Sequence, residues 1–154
     1  MSKISQLLST LENHWKQEKI SFYPGLEEAE IVAFERSHQV RLPVDLQAFY
    51  RRFDGCDDFY FRFLRLSELE HPSAIPRQGD ISHYDISKKE FVIVDYMQYC
   101  WWYTIDLSDR DAVHTPVGIS GTLQNQIIAP SFSAFIDLYL SDDRALYPSR
   151  TEAS

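Results

Sequence analysis

The chain has 154 residues, 44% hydrophobic and 14% aromatic, and a formal charge of −8 at pH 7. That length and apolar share suit one domain with a real core, while the acidity disfavours nucleic-acid backbones and anionic membranes and favours a basic protein partner. No run approaches the roughly 20 apolar residues of a membrane span, the N-terminus lacks a signal-peptide core, and two cysteines are too few for a disulfide framework, so the expectation is a cytoplasmic protein with Cys56 and Cys100 reduced.

The first predicted element is an amphipathic helix within residues 1–23, because Ile4, Leu7, Leu8, Leu11 and Trp15 recur at helical spacing ahead of a turn at Tyr23-Pro24-Gly25. A second helix follows, with Glu27, Glu28 and Glu30 at the positive end of its dipole and Ile31 and Phe34 facing inward. Residues 41–55, RLPVDLQAFYRRFDG, predict a third. Pro43 suits its first turn, Leu46, Phe49, Tyr50 and Phe53 form one stripe, and Gly55 supplies a left-handed end. Asp54 then opens a predicted turn running through Cys56 to Asp57 and Asp58.

From Asp58 the period becomes two. Phe59, Phe61 and Phe63 alternate with Tyr60, Arg62 and Leu64, which predicts a strand with one aromatic face. After a short turn at residues 67–69, residues 70–89 contain Pro72, Pro76 and Gly79 and predict a long surface loop. FVIVDYM (91–97) and CWWYTIDL (100–107) predict two antiparallel strands, with a further one at 113–117. Ser131 is the expected N-cap of a last helix with Phe132, Phe135, Ile136, Tyr139 and Leu140 inward, leaving 141–154 as a C-terminal tail. Helices, then strands, then a helix make an α+β single domain over 1–154, an antiparallel sheet packed against N-terminal helices and a C-terminal helix.

Chemistry-bearing residues are scattered. His14, His38, His71, His83 and His114 show no metal-ligand spacing, His83-Tyr84-Asp85 reads as solvated loop, and Gly118-Ile119-Ser120-Gly121 is one residue short of a nucleophile elbow and reads as a turn. No phosphate-cradling glycine motif is present, so neither cofactor nor metal is expected. Asp95 interrupts an apolar strand, either as a structural carboxylate bonded to a neighbouring turn or as a binding residue. Trp101 and Trp102 must point to opposite sheet faces. The outer ring either joins Tyr60, Tyr96 or Tyr99 in an aromatic partner surface or is covered by the long loop or a second copy.

Four segments, PGLEEAEIVAFE (24–35), RLPVDLQAFYRRFDG (41–55), FVIVDYMQYCWWYTIDL (91–107) and IIAPSFSAFIDLYL (127–140), in this order resemble the SMI1/KNR4 (SUKH) superfamily. Glu28, Ile31, Phe34, Glu35, Leu42, Pro43, Phe49, Tyr50, Gly55, Ser131, Phe132 and Phe135 fall on its pattern. Asp54 stands where the family often has Asn, and residues 70–89 match no family pattern. The resemblance implies a non-enzymatic α+β scaffold, in bacteria most often an immunity protein that neutralises a cognate polymorphic toxin, frequently a nuclease. A regulatory or adaptor module is the alternative, and a hydrolase ranks last for want of a nucleophile, metal or phosphate motif. On this reading the matched residues build the fold, and a basic toxin meets Asp57, Asp58, Tyr60, Tyr96, Tyr99 and Trp102. No direct contact with nucleic acid or membrane is expected, and the protein is a monomer or homodimer.

Overall fold

Residues 2–76, 82, 84–122 and 125–148 are described in the computed structural model. The helical stripes form α1 (Lys3–Gln17), α2 (Glu28–His38), α3 (Val44–Arg52) and α4 (Phe132–Ser141). Side chains mark their starts: Ser2 accepts from the Ser5 amide at α1, Glu27 and Glu30 form a reciprocal capping box at α2, and Ser131 Oγ accepts from the Ala134 amide at α4. Glu35 Oε2 accepts from the Leu42 amide at 2.7 Å and from Gln47 Nε2 at 3.2 Å, closing the link between α2 and α3. Asp45 Oδ2 accepts from both the amide and the hydroxyl of Ser133, which ties the start of α4 to the start of α3.

The sheet is an antiparallel meander, β3 (Phe61–Phe63), β4 (Glu90–Tyr96), β5 (Trp101–Asp106), β6 (Val117–Ser120) and β7 (Gln126–Ala129), in spatial order β3-β4-β5-β6-β7. A separate pair joins β1 (Ser21–Pro24) to β2 (Phe53–Asp57). The architecture is α+β, as the order of elements predicts.

Several boundaries differ from the sequence reading. The third helix stops at Arg52, and Phe53 is the first residue of β2 rather than the last of the apolar stripe, because Pro24 pairs with Phe53 and the Leu26 amide takes the Tyr50 carbonyl. Pro43 sits just before the first helical residue. Gly55 is left-handed, at φ 81°, but inside β2, where a Cβ would stand 2.4 Å from the Phe63 carbonyl oxygen. Asp54 is accordingly a buried strand residue, not a turn acid. Phe59 and Tyr60 fall outside the strand predicted for them, since Asp58 takes the Phe61 amide and bends the chain ahead of β3. The strand expected at 113–117 begins where that span ends, Gly118 to Ser120 lie within it rather than in a turn, and only Gly121 turns, at φ 82°. The short strands β1 and β7 were not expected. The first part of residues 70–89 is packed rather than superficial: Pro72 and Ile75 are buried, and Glu70 bridges to Val92. Gly79 and His83, named in the sequence reading of that loop, lie outside the described residues.

The core is a band of rings between helices and sheet. Trp15 of α1 meets Phe22, Phe49, Phe53 and Phe63 at centroid distances of 5.1–6.2 Å, and its indole N–H donates to Tyr139 Oη at 3.1 Å. Phe49 meets Phe63 and Phe132, and Phe63 meets Phe135 and Tyr139, so α1, α3, α4 and β3 share one cluster. Residues beyond α4 add to it: Leu146 is buried, and its carbonyl accepts from Tyr103 Oη at 2.6 Å. Burial pushes the Tyr103 and Tyr139 hydroxyls well above their ordinary range, and that of Cys56 up to about 12. Cys56 and Cys100 are both free thiols, the first buried and the second exposed.

Three variants test this frame by thermal or denaturant unfolding. Phe49→Ala, at a site 1% exposed, loses about 3–5 kcal/mol, most of a typical margin of stability. Asp54 accepts from the buried Leu66 amide at 2.9 Å and from Arg65 Nε at 3.0 Å, so Asp54→Ala strands that amide and costs about 1–3 kcal/mol. Asp54→Asn, which keeps an oxygen for the amide, costs less. Equal losses for Ala and Asn would show that the amide bond contributes nothing.

Candidate partner-binding face

The two-residue period of β3 sends Phe61 and Phe63 into the ring cluster and Arg62 to the opposite sheet face. There Arg62 meets Asp95 of β4, its direct neighbour across the strand pair. Its Nε and Nη2 stand 2.8 and 2.6 Å from Asp95 Oδ2, while Nη1 reaches Glu68 and Nη2 also reaches Tyr99 Oη, both at 3.4 Å. The backbone amides of Gln98 and Tyr99 favour the charged form of the Asp95 carboxylate. Asp95 is thus held by Arg62 of the neighbouring strand.

That turn is unusual. Met97, Gln98 and Tyr99 all take positive φ, at 48°, 55° and 65°, and none is glycine. A left-handed residue with a Cβ costs roughly 1–2 kcal/mol, so three in succession need support from outside the turn. The Cys100 amide closes it on the Tyr96 carbonyl at 2.9 Å, and the Met97 amide donates to the Tyr60 carbonyl at 2.9 Å. Burial raises the pKa of Asp95, with Arg62 and the two amides pulling it back; burial likewise opposes the charge on Arg62, but Asp95 more than offsets it and its pKa is raised.

Against this hairpin tip lies the turn that leaves β2. Asp57, Asp58, Phe59, Arg62, Asp95, Gln98 and Tyr99 line a cleft of about 440 Å³. Asp57 is exposed, and among the described residues its side chain makes no hydrogen bond or ion pair. Asp58 is half-buried and accepts from the Phe61 amide at 3.2 Å. Phe59 and Tyr60 are 54% and 55% exposed and meet edge to face at 5.3 Å. Tyr60 leads on to Tyr96, which stacks on Trp101 with centroids 4.2 Å apart.

The structure thus gathers Asp57, Asp58, Tyr60, Tyr96 and Tyr99 at one end of the sheet. Phe59, absent from the sequence reading as a surface residue, joins them. Its alternation with Phe61 and Phe63 places it on the aromatic face of a predicted strand. Trp102 does lie on the face opposite Trp101, but it is 5% exposed, beneath the turn at Gly121 and edge to face with Tyr99. Its indole N–H is buried without a hydrogen-bond partner. It offers no open ring to a protein surface.

A second concavity, of about 660 Å³, lies on the outer sheet face between Glu90, Asp106, Asp109, His114, Asn125 and Ile127. Glu90 and Asp106 face one another across β4 and β5, and burial followed by the Asp106 charge raises the Glu90 pKa against opposing pulls from Thr104 and His71. Among the described residues no group of three or more His, Cys, Asp or Glu is placed to hold a metal ion, and no helix is long and apolar enough to cross a membrane.

Comparison with known proteins adds one match. The family model of the SMI1 / KNR4 family (SUKH-1) covers residues 25–138, most of the chain, and the chain belongs to that family. No curated protein matches it.

The Arg62–Asp95 pair makes a pH-dependent prediction. In Arg62→Ala, Asp95 stays buried but loses its cation, so its folded-state pKa rises further above the unfolded value. The folded state then holds a proton that the unfolded state releases. Stability is fullest below the ordinary carboxylate range and falls as pH rises through the folded value, by about 1.4 kcal/mol per unit of added shift. Denaturant unfolding of the variant and the parent should therefore diverge progressively as pH rises above the ordinary carboxylate range. A gap that stays constant as pH rises would mean that Arg62 does not hold the Asp95 charge.

Proposed function

We propose that this member of the SMI1/KNR4 family is a non-enzymatic bacterial immunity protein that binds and neutralises a cognate polymorphic toxin, a basic nuclease being the type that fits its charge. Family membership over residues 25–138 is the observation that carries the reading. The charge of −8 supports it, because the long-range field draws a basic protein and repels the nucleic acid such a toxin attacks. The cleft beside Phe59 and Tyr60 supports it further, since aromatic rings are enriched at protein interfaces and the neighbouring acids complement a basic partner. Inhibition in this reading is occlusion: the complex covers the toxin surface that meets its substrate, and no bond is made or broken.

The experiment is co-expression with the toxin encoded beside the gene. Growth should be restored, and the two proteins should co-purify. Absence of both rescue and complex with any neighbouring toxin would sink the immunity reading, and a gene standing apart from any toxin would favour a regulatory or adaptor role. Within the complex, Asp57→Lys is the informative variant, since Asp58 also caps the Phe61 amide. Its unfolding free energy should stay within about 0.5 kcal/mol of the parent. Its association rate at low salt should fall by about tenfold, and the loss should shrink as ionic strength rises. Unchanged association would put the partner on another face.

A further inference from the structure

Phe59 and Tyr60 are the only large aromatic side chains more than half exposed among the described residues, and they are adjacent. Their position breaks the burial logic of the rest of the chain, where rings from every helix and from β3 and β5 are drawn into the core. The cleft at their foot has a matching electrical character. It contains one cation, Arg62, and that guanidinium is already engaged by Asp95, by Glu68 and by the Tyr99 hydroxyl. Asp57 and Asp58 therefore face the cleft without a positive charge of their own, Asp57 with its whole carboxylate unbonded and Asp58 using only Oδ2 on the Phe61 amide.

We infer that this cleft receives an arginine side chain projecting from the surface of the partner protein. The inference rests on reading this face as the partner interface. Charge complementarity fixes the sign of the occupant, and the rings choose between the two basic residues. A guanidinium is planar, weakly hydrated and forked, so it lies against Phe59 while its N–H groups point to neighbouring carboxylates. A lysine ammonium is a compact, strongly hydrated charge and gains less from an open ring. Arg62 does not bar the newcomer, because Asp95 and Glu68 neutralise it in place.

The test uses the intact protein and two small probes, Nα-acetyl-argininamide and Nα-acetyl-lysinamide, titrated at low salt while backbone amide resonances are followed by NMR. The arginine probe should move the amides of residues 57–60 and 98–99, at concentrations about threefold or more below those at which the lysine probe does. Asp57→Asn and Phe59→Ala should each weaken the response, while amides elsewhere in the spectrum confirm that both variants remain folded. Equal responses to the two probes, shifts centred on another face, or no shifts at all would each overturn the assignment. The toxin takes no part in this measurement. Lack of rescue in co-expression would sink the immunity reading and leave the arginine result standing, whereas lack of a probe response would remove this pocket and leave immunity by another face.

Discussion

The rings around Trp15 and Phe49 have to meet before any other part of this molecule has a place to stand. Trp15 brings α1, Phe49 brings α3 and Phe135 brings α4, and all three close on Phe63, while Phe132 packs on Phe49. Burying Phe63 fixes the phase of β3, and with a period of two that phase alone decides that Arg62 faces the other way. Arg62 then fixes Asp95 and reaches the Tyr99 hydroxyl, and the cleft acquires its far wall. The candidate partner face is thus the outer end of a chain of contacts that starts in the core. A slip of one residue in β3 would bury the guanidinium and expose two phenylalanines.

Charge is distributed by the same economy. Arg51 pairs with Glu28, Arg52 with Glu12, Arg62 with Asp95 and Glu68, and Arg65 with Asp54. The exposed Arg51–Glu28 pair adds little stability, whereas Asp95 and Asp54 are buried, but all of these pairs commit their arginines to acids of the scaffold. Acids left outside these pairs, Asp57 among them, then set the sign of the surface. The net −8 is therefore felt locally at the end of the sheet as well as globally.

Helical parts of this fold were legible because each carries a stripe and a cap: Leu8, Leu11 and Trp15 in α1, Phe132, Phe135 and Ile136 behind Ser131 in α4. The same holds for β4 and β5, whose apolar runs are long enough to declare themselves. What escaped was decided by distant partners. The helical stripe runs on through Phe53, and only pairing with Pro24 turns that residue into strand. Ser21 to Pro24 and Gln126 to Ala129 are four residues each, too short for a period to show. At the candidate site, the acids and tyrosines could be named from the sequence, but Phe59 looked like part of a strand and Trp102 like a surface residue. Their true positions depend on the Asp58 bend and on the glycine turn over Trp102, neither of which leaves a mark in local hydrophobicity.

The left-handed turn at Met97, Gln98 and Tyr99 gives this end of the sheet a different kinetic temper from its middle. Opening the tip lets three side-chain-bearing residues return to comfortable backbone angles, so part of the cost of breaking its hydrogen bonds is refunded at once. No such refund awaits the central residues of β4 and β5, where Val92 and Tyr103 are fully buried. Amide hydrogens at residues 98–100 should consequently exchange with solvent through small local excursions, while those of the strand centres wait for unfolding of the whole. The wall of the cleft is the part of the sheet that breathes, and a partner that closes over it would be read most clearly as a slowing of that exchange.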